Sequence, residues 1–181
     1  SRALWAEKRF FHWDLEFPEV FVDLARRDWA ENPGFDAVIG NPPYDELSED
    51  ARGQRIDEMV YLQAIPQFAS ALGYRINLYR LFISKALSVI REGGWHSFIV
   101  PLSLLADRFT YSLRKALLES VRIHNVEQFP QKDDPHDRVF FDAKLSTCVY
   151  VIEKALPEDH SLGVRTHSGR EIIDSSPRYS A

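Results

Sequence analysis

Four consecutive residues, Asn41-Pro42-Pro43-Tyr44, combine side-chain types suited to handling a planar amino group. An exocyclic or carboxamide nitrogen is a weak nucleophile, because its lone pair is delocalised into the attached π system. Attack on a methyl donor requires rehybridisation towards sp3, and acceptors aimed at the two amino hydrogens assist it. The Asn41 side-chain oxygen and the Pro42 main-chain carbonyl are such acceptors. The two prolines restrict the turn, so little entropy remains to be lost when these groups engage. Tyr44 adds a flat face on which a planar substrate can stack. An acidic general base is unnecessary, since the N-methylated product can lose its proton after transfer. Asn-Pro-Pro alone is a common turn sequence; what raises its significance is its position.

The tetrapeptide follows Phe35-Asp36-Ala37-Val38-Ile39-Gly40, a short apolar run with β-branched residues at its centre, which reads as a buried strand of a parallel sheet. Upstream, the aromatic segment Phe10 to Phe17 reads as extended, and Pro18 opens a helix to about Trp29 on the spacing of Val20, Phe21, Leu24 and Ala25. Asn32-Pro33-Gly34 stops it. Residues 45 to 58, rich in Asp, Glu and Arg, form a solvated loop. A helix from about Asp57 to Ala71, bent or ended near Pro66, precedes the clearest helix of the chain, Ile76 to Arg91, which Gly93-Gly94 closes. Trp95 to Val100 is a second buried strand ending at Pro101. Ser103 caps a helix to about Ser120, Ile123 to Phe129 is a third strand, Pro130 to Arg138 a polar turn, and Leu145 to Glu153 a fourth strand. This order specifies an α/β fold with a mostly parallel sheet and one antiparallel strand. In such sheets ligands bind beyond the carboxyl ends of the strands, where Asn41 to Tyr44 lies.

Composition sets outer bounds. The 181 residues are 45% hydrophobic and 13% aromatic, ample for a core and contrary to disorder. The net charge of -5 is uneven: residues 1–60 hold 14 acids and 7 bases, residues 61–181 hold 13 and 15. A phosphate-facing surface is therefore expected from the second part or from another segment. The single cysteine, Cys148, excludes an intrachain disulfide and a Cys-rich zinc site, and with no apolar run near the ~20 residues of a membrane span the expectation is a soluble, cytoplasmic protein without membrane contact.

With these residues in view, the segment Phe35 to Tyr44 resembles motif IV of the amino-group methyltransferases that use S-adenosylmethionine. Asn77-Leu78-Tyr79-Arg80-Leu81-Phe82, Gly93-Gly94 and Ser97-Phe98-Ile99-Val100-Pro101 resemble the fifth and sixth motifs of N6-adenine DNA methyltransferases, and Val139 to Thr147 their eighth. The opening His12 to Phe21 is similar to the segment before motif IV in the Eco57I-like branch, which includes restriction-modification and phage-defence methylases. The resemblance covers about residues 10 to 154, with the motifs in order.

It implies the C-terminal half of a Rossmann-like class I S-adenosylmethionine-dependent methyltransferase domain, with 1–154 as the catalytic half and 155–181 as a linker or the start of another unit. It implies DNA as partner, Asn41 and Pro42 as acceptors of the target amino group, and Tyr44 and Phe140 sandwiching a flipped adenine. Phe140 is preferred to Phe141 on its spacing to Ser146. Pro43, Leu78 and Phe82 would line the pocket for the adenine of the donor. The family's Gly-rich turn and ribose-binding acid have no counterpart here, so the remainder of a parent chain is expected to supply them and target recognition. The isolated fragment is expected to be inactive and to self-associate through an uncovered sheet edge. Ribosomal RNA or a protein glutamine amide remain alternative substrates, and a non-catalytic base-binding module an alternative role. No histidine pair has metal spacing, and Asp133, Asp134, His136 and Asp137 read as a solvated turn. Arg52, Arg55, Arg108, Arg114, Lys115, Lys132, Arg138 and Lys144 are candidate phosphate contacts.

Overall fold

The computed structural model describes residues 11–47, 56–73, 76–158, 162–172 and 178–179. In chain order these form helices α1 (Trp13–Glu16) and α2 (Pro18–Phe21), strands β1 (Val22–Asp23), β2 (Asp28–Trp29), β3 (Phe35–Gly40) and β4 (Glu46–Leu47), then helix α3 (Ile56–Ala64) and a 3-10 turn at Pro66–Phe68. There follow β5 (Ile76–Asn77), α4 (Leu78–Val89), β6 (Ile90–Pro101), α5 (Ser103–Ala106), a 3-10 turn at Arg108–Thr110 and α6 (Tyr111–Ser120). The strands β7 (Arg122–Phe129), β8 (Thr147–Glu153), β9 (Gly163–Thr166) and β10 (Arg178–Tyr179) complete the order.

Six strands make the central sheet in the order β10-β9-β7-β8-β6-β3. The pairings β3–β6 and β7–β9 are parallel, while β8 is antiparallel to both its neighbours and β10 to β9, so four of the six strands share one direction. This is the mixed α/β sheet, mostly parallel, that the sequence predicts. Connections explain the reversal. The α5–α6 crossover carries the chain from β6 to a parallel β7, whereas residues 130–146 contain no helix and return it as an antiparallel β8. That strand fills the slot between β6 and β7 rather than closing an edge. The sheet also continues past residue 154: β9 and β10 come from the segment expected as a linker or the start of another unit.

One face carries the helices. Tyr79, Ile83 and Ala86 of α4 and Leu113 and Leu117 of α6 pack on Phe98, Val100, Val126, Cys148, Tyr150 and Ile152 of the strands. The spacing i, i+4, i+7 in α4 puts its three residues on one stripe, as an amphipathic helix requires. On the opposite face of β3, Ala37 and Ile39 are exposed, Ile39 to 80%.

Several local expectations change. The segment around His12 to Glu16 is a helical turn, its His12 carbonyl accepting from the amides of Leu15 and Glu16, rather than extended. Trp13, Phe17 and Phe21 then surround Phe35 at centroid distances of 5.7, 5.3 and 5.6 Å, anchoring this segment on the start of β3. The helix expected from Pro18 to Trp29 lasts one turn. The Asp23 carboxylate accepts from the amides of Ala25 and Arg26, and a left-handed Arg27 completes a β1–β2 hairpin. The helix expected to reach Ser120 from Ser103 breaks where Asp107 accepts from the Phe109 amide. α4 ends at Val89, ahead of the glycines proposed to stop it. Gly93 and Gly94 lie within β6, in a bulge between the Phe35↔Ile90 and Ala37↔Trp95 register positions. Gly93 is left-handed, and a Cβ on Gly94 would lie 2.9 Å from the Arg91 carbonyl oxygen and 3.0 Å from that of Phe35.

Candidate active site

β3, β6 and β7 end, and β8 begins, at the same end of the sheet, because Pro101 and Phe129 both stand opposite Thr147. The loop ends are tied together there: the Leu102 amide donates to the Ser146 carbonyl at 2.9 Å, and Ser146 Oγ to the Pro130 carbonyl at 2.7 Å. Asn41 follows the last residue of β3 directly and is exposed, while Pro42 behind it is buried. A buried proline beside an exposed asparagine fixes the backbone that aims the amide outwards.

Tyr44 is half-buried, and its hydroxyl donates to the Ile99 carbonyl of β6 at 2.9 Å. Burial, followed by the charge of the Cys148 group, pushes its phenol up to about 12, so it stays a neutral donor. Tyr79 meets the ring edge-on at 6.4 Å, so one hydrogen bond and one aromatic contact hold Tyr44 in place. Phe140 approaches it from the β7–β8 connection, with centroids 6.1 Å apart and planes at 69°. The structure thus brings together the two rings that the sequence selects. Phe141, its neighbour, is instead 54% exposed.

The residues expected to line the donor pocket lie along a second seam. β4 pairs antiparallel with β5, the Leu78 amide donates to the Asp45 carbonyl at 2.8 Å, and Asn77 Nδ2 donates to the Tyr44 carbonyl at 3.5 Å. The start of α4 is therefore sewn to the chain just after Tyr44. Leu78 is half-buried against Leu47 and Leu81, Pro43 is exposed, and Phe82, one turn beyond Leu78, is 46% exposed. Their side chains are apolar, the chemistry against which the adenine of S-adenosylmethionine would stack.

The candidate phosphate contacts divide. Arg114 donates to the carbonyls of Leu104 and Asp107 at 3.0 and 2.7 Å, which makes it the clasp of the α5–α6 corner. Lys144 pairs with Asp133 at 2.7 Å and Lys115 with Glu119 at 3.8 Å. Arg138 donates to the Phe141 carbonyl, and Arg108 lies 4.7 Å from the Phe109 ring. Arg52 and Arg55, with most of the 45–58 loop, lie outside the described residues. Among the described residues no group of three His, Cys, Asp or Glu could hold a metal ion, and no helix is long and apolar enough to cross a membrane. The anchoring of Tyr44 on the Ile99 carbonyl escapes sequence reasoning, because a main-chain acceptor carries no side-chain signal.

Comparison with known proteins bears on the family and the fold. Residues 2–135 match the family model described as Eco57I restriction-modification methylase. A proposed type II restriction enzyme and methyltransferase of Methanocaldococcus jannaschii is 24% identical over 152 residues, 84% of this chain and 11% of that protein. A type II methyltransferase of Thermus thermophilus is 31% identical over 87 residues, 45% of this chain and 19% of its own. The chain thus spans less than a fifth of either relative. In fold it is similar to a proposed class I S-adenosylmethionine-dependent methyltransferase of Listeria monocytogenes, with a TM-score of 0.55 at 16% identity, covering 77% of this chain and 38% of the other.

Proposed function

Because the chain belongs to the Eco57I restriction-modification methylase family, we propose that it carries the catalytic half of a DNA methyltransferase acting on N6 of a flipped adenine. The observation that supports this most is the joint placement of Asn41-Pro42 at the end of β3, Tyr44 anchored on the Ile99 carbonyl, and Phe140 facing it. The N6 amino group of a paired adenine is engaged within the duplex, so the base must leave the stack. Unstacking costs a few kcal/mol, which two aromatic faces can offset.

Tyr44 is the fixed wall of the base site, since its hydroxyl is bound to β6. Phe140 sits on irregular backbone and meets Tyr44 edge to face, so it is the wall that turns to admit a base between the rings. Asn41 Oδ1 and the Pro42 carbonyl then accept from the two N6 hydrogens, drawing the nitrogen towards sp3 and returning its lone pair to it. Bound S-adenosylmethionine supplies a methyl group on a sulfonium, a good leaving group as a neutral thioether. Pro43, Leu78 and Phe82 would hold the donor's adenine. The methylated N6 would be a cationic amine able to lose its extra proton to water, so the site needs no residue acting as a base. Groups for the donor's ribose and methionine part come from the remainder of a longer chain.

Mass spectrometry of nucleosides from cells expressing the full-length protein tests this. N6-methyladenine should appear with the native protein and vanish with Asn41→Ala. An unchanged level in the variant would sink the assignment, and methylated cytosine or RNA adenine would redirect it.

A further inference from the structure

Next to the base site stands an aromatic that the mechanism above does not use. Phe140 turns to Tyr44, while Phe141 turns to solvent with half its surface bare. Two features show more than a stray surface ring. The Arg138 guanidinium donates to the Phe141 carbonyl, and the Ala143 amide donates to the Phe140 carbonyl, the peptide that divides the two phenylalanines, at 3.3 Å. Arg170, from the chain after β9, lies with its guanidinium carbon 4.9 Å from the centre of the Phe141 ring. Arg170 also lines a polar cleft of about 250 Å3 together with His136, Asp137, Ser168, Gly169 and Glu171. The pair thus joins two segments that are 29 positions apart in sequence, as their numbers give.

An exposed ring with a cation over it matches single-strand and unstacked-base recognition: the ring offers a stacking face and the guanidinium a second planar face or a phosphate contact. The surroundings disfavour a purely electrostatic role. Asp133, Asp134, Asp137, Asp142 and Glu171 outnumber Lys132, Arg138, Lys144 and Arg170 in the same two segments. With no net positive field, the ring is the recognition element and the arginine its support.

Building on the adenine-flipping reading, we infer that Phe141, backed by Arg170, stacks on a duplex base bordering the gap that the flipped adenine leaves. Phe140 and Phe141 then divide the work: one receives the extruded base, the other closes the vacated stack. Phe141 is a positioning residue and does not touch the reacting atoms.

The test uses the full-length protein and its own target duplex, with Phe141→Ala, Phe141→Leu, Phe141→Tyr and Arg170→Ala variants. Affinity is measured on intact target and on the same duplex carrying an abasic site in place of the adenine, which removes the Phe140 contact. Phe141→Ala is expected to weaken binding to both about tenfold, with an unchanged melting temperature. Phe141→Tyr should restore it, Phe141→Leu should not, and Arg170→Ala should fall between. In parallel, 5-iodouracil placed opposite the target adenine, or on either side of it, should crosslink to the peptide holding Phe141. If Phe141→Ala binds and methylates like the native protein, or leucine restores affinity as well as tyrosine, the inference is wrong. Loss of N6-methyladenine formation by the native protein itself would instead overturn the adenine reading, so the two failures are separable.

Discussion

At the scale of single residues, the sheet interior holds one group whose ionisation is tied to folding. His96 of β6 is buried beside Phe98 and Tyr150, with ring centroids at 4.2 and 5.3 Å. Its Nδ1 lies 3.4 Å from the Tyr150 hydroxyl, and its Nε2 has no partner among the described residues. Burial lowers its pKa from 6.5 to about 4, because the apolar surroundings penalise the imidazolium. The unfolded chain therefore binds a proton that the folded chain refuses between these values. Stability is fully present above pH 6.5 and is lost as the pH falls towards 4, by about 3 kcal/mol in all. Urea titrations across that range should show this fall, and His96→Leu should flatten it even if stability at neutral pH drops. A variant that keeps the full slope would place the titration elsewhere. Glu127 works in the opposite environment: despite desolvation, hydrogen bonds from Asn125 and His167 and the charge of Arg165 hold its carboxyl below the usual range. Neither histidine was singled out in the sequence: His96, within an alternating strand pattern, looks like any other polar residue until the opposing face is known, and His167 stands just past β9, where no pattern marks it.

At the scale of elements, the catalytic strand depends on one close approach. Gly34, with φ of +127°, stands before β3 where the backbone of residues 89–91 crosses it. A Cβ there would meet the Arg91 nitrogen at 2.5 Å and the Ile90 carbonyl carbon at 2.6 Å, so backbone rather than a yielding side chain blocks it. Gly34→Ala should therefore cost about 3 kcal/mol from strain and overpacking together, read as a lower urea midpoint and displaced β3–β6 amide signals. A neutral outcome would refute the close approach of residues 89–91 to Gly34 as a constraint on β3. The same comparison explains what sequence could reveal. Apolar runs such as Phe35–Gly40, Ser97–Val100 and Thr147–Glu153 favour extended backbone through their β-branched and aromatic residues, so their strands were legible, but the burial expected of Phe35–Gly40 is not met, since no residue of that strand is buried. So was the placement of Asn41 to Tyr44 at a strand end. Two-residue pairings such as β1–β2 and β4–β5 draw their stability from tertiary neighbours and leave no periodicity. β9 was hidden for a related reason: its four residues are half-buried throughout and show no alternation.

At the scale of the molecule, the helices cover one face of the sheet while β3 lies outermost, its outer edge without a partner strand among the described residues and Ile39 80% exposed. A flat apolar edge of this kind pairs with whatever strand is offered. The isolated 181-residue chain is accordingly expected to self-associate, and Ile39→Lys to shift sedimentation profiles towards monomer; native chain that stays monomeric at high concentration would refute the role of this edge. The same geometry bears on the methyl donor. Pro43, Leu78 and Phe82, the residues proposed for the donor, are apolar, and such side chains would stack against an adenine but do nothing for a ribose diol or a charged methionine part. Hydroxyls and charges gain little from an apolar wall, and the ligand still loses its translational and rotational freedom on binding. Affinity of the isolated chain for S-adenosylmethionine should therefore be on the order of millimolar or weaker, equivalent to about 4 kcal/mol or less. Calorimetry reads this directly, with Phe82→Ala and Leu78→Ala as controls that should abolish the residual signal. Micromolar binding by the isolated chain would show that groups within these residues already satisfy the ribose and the methionine part, and that the donor site is not divided between two halves.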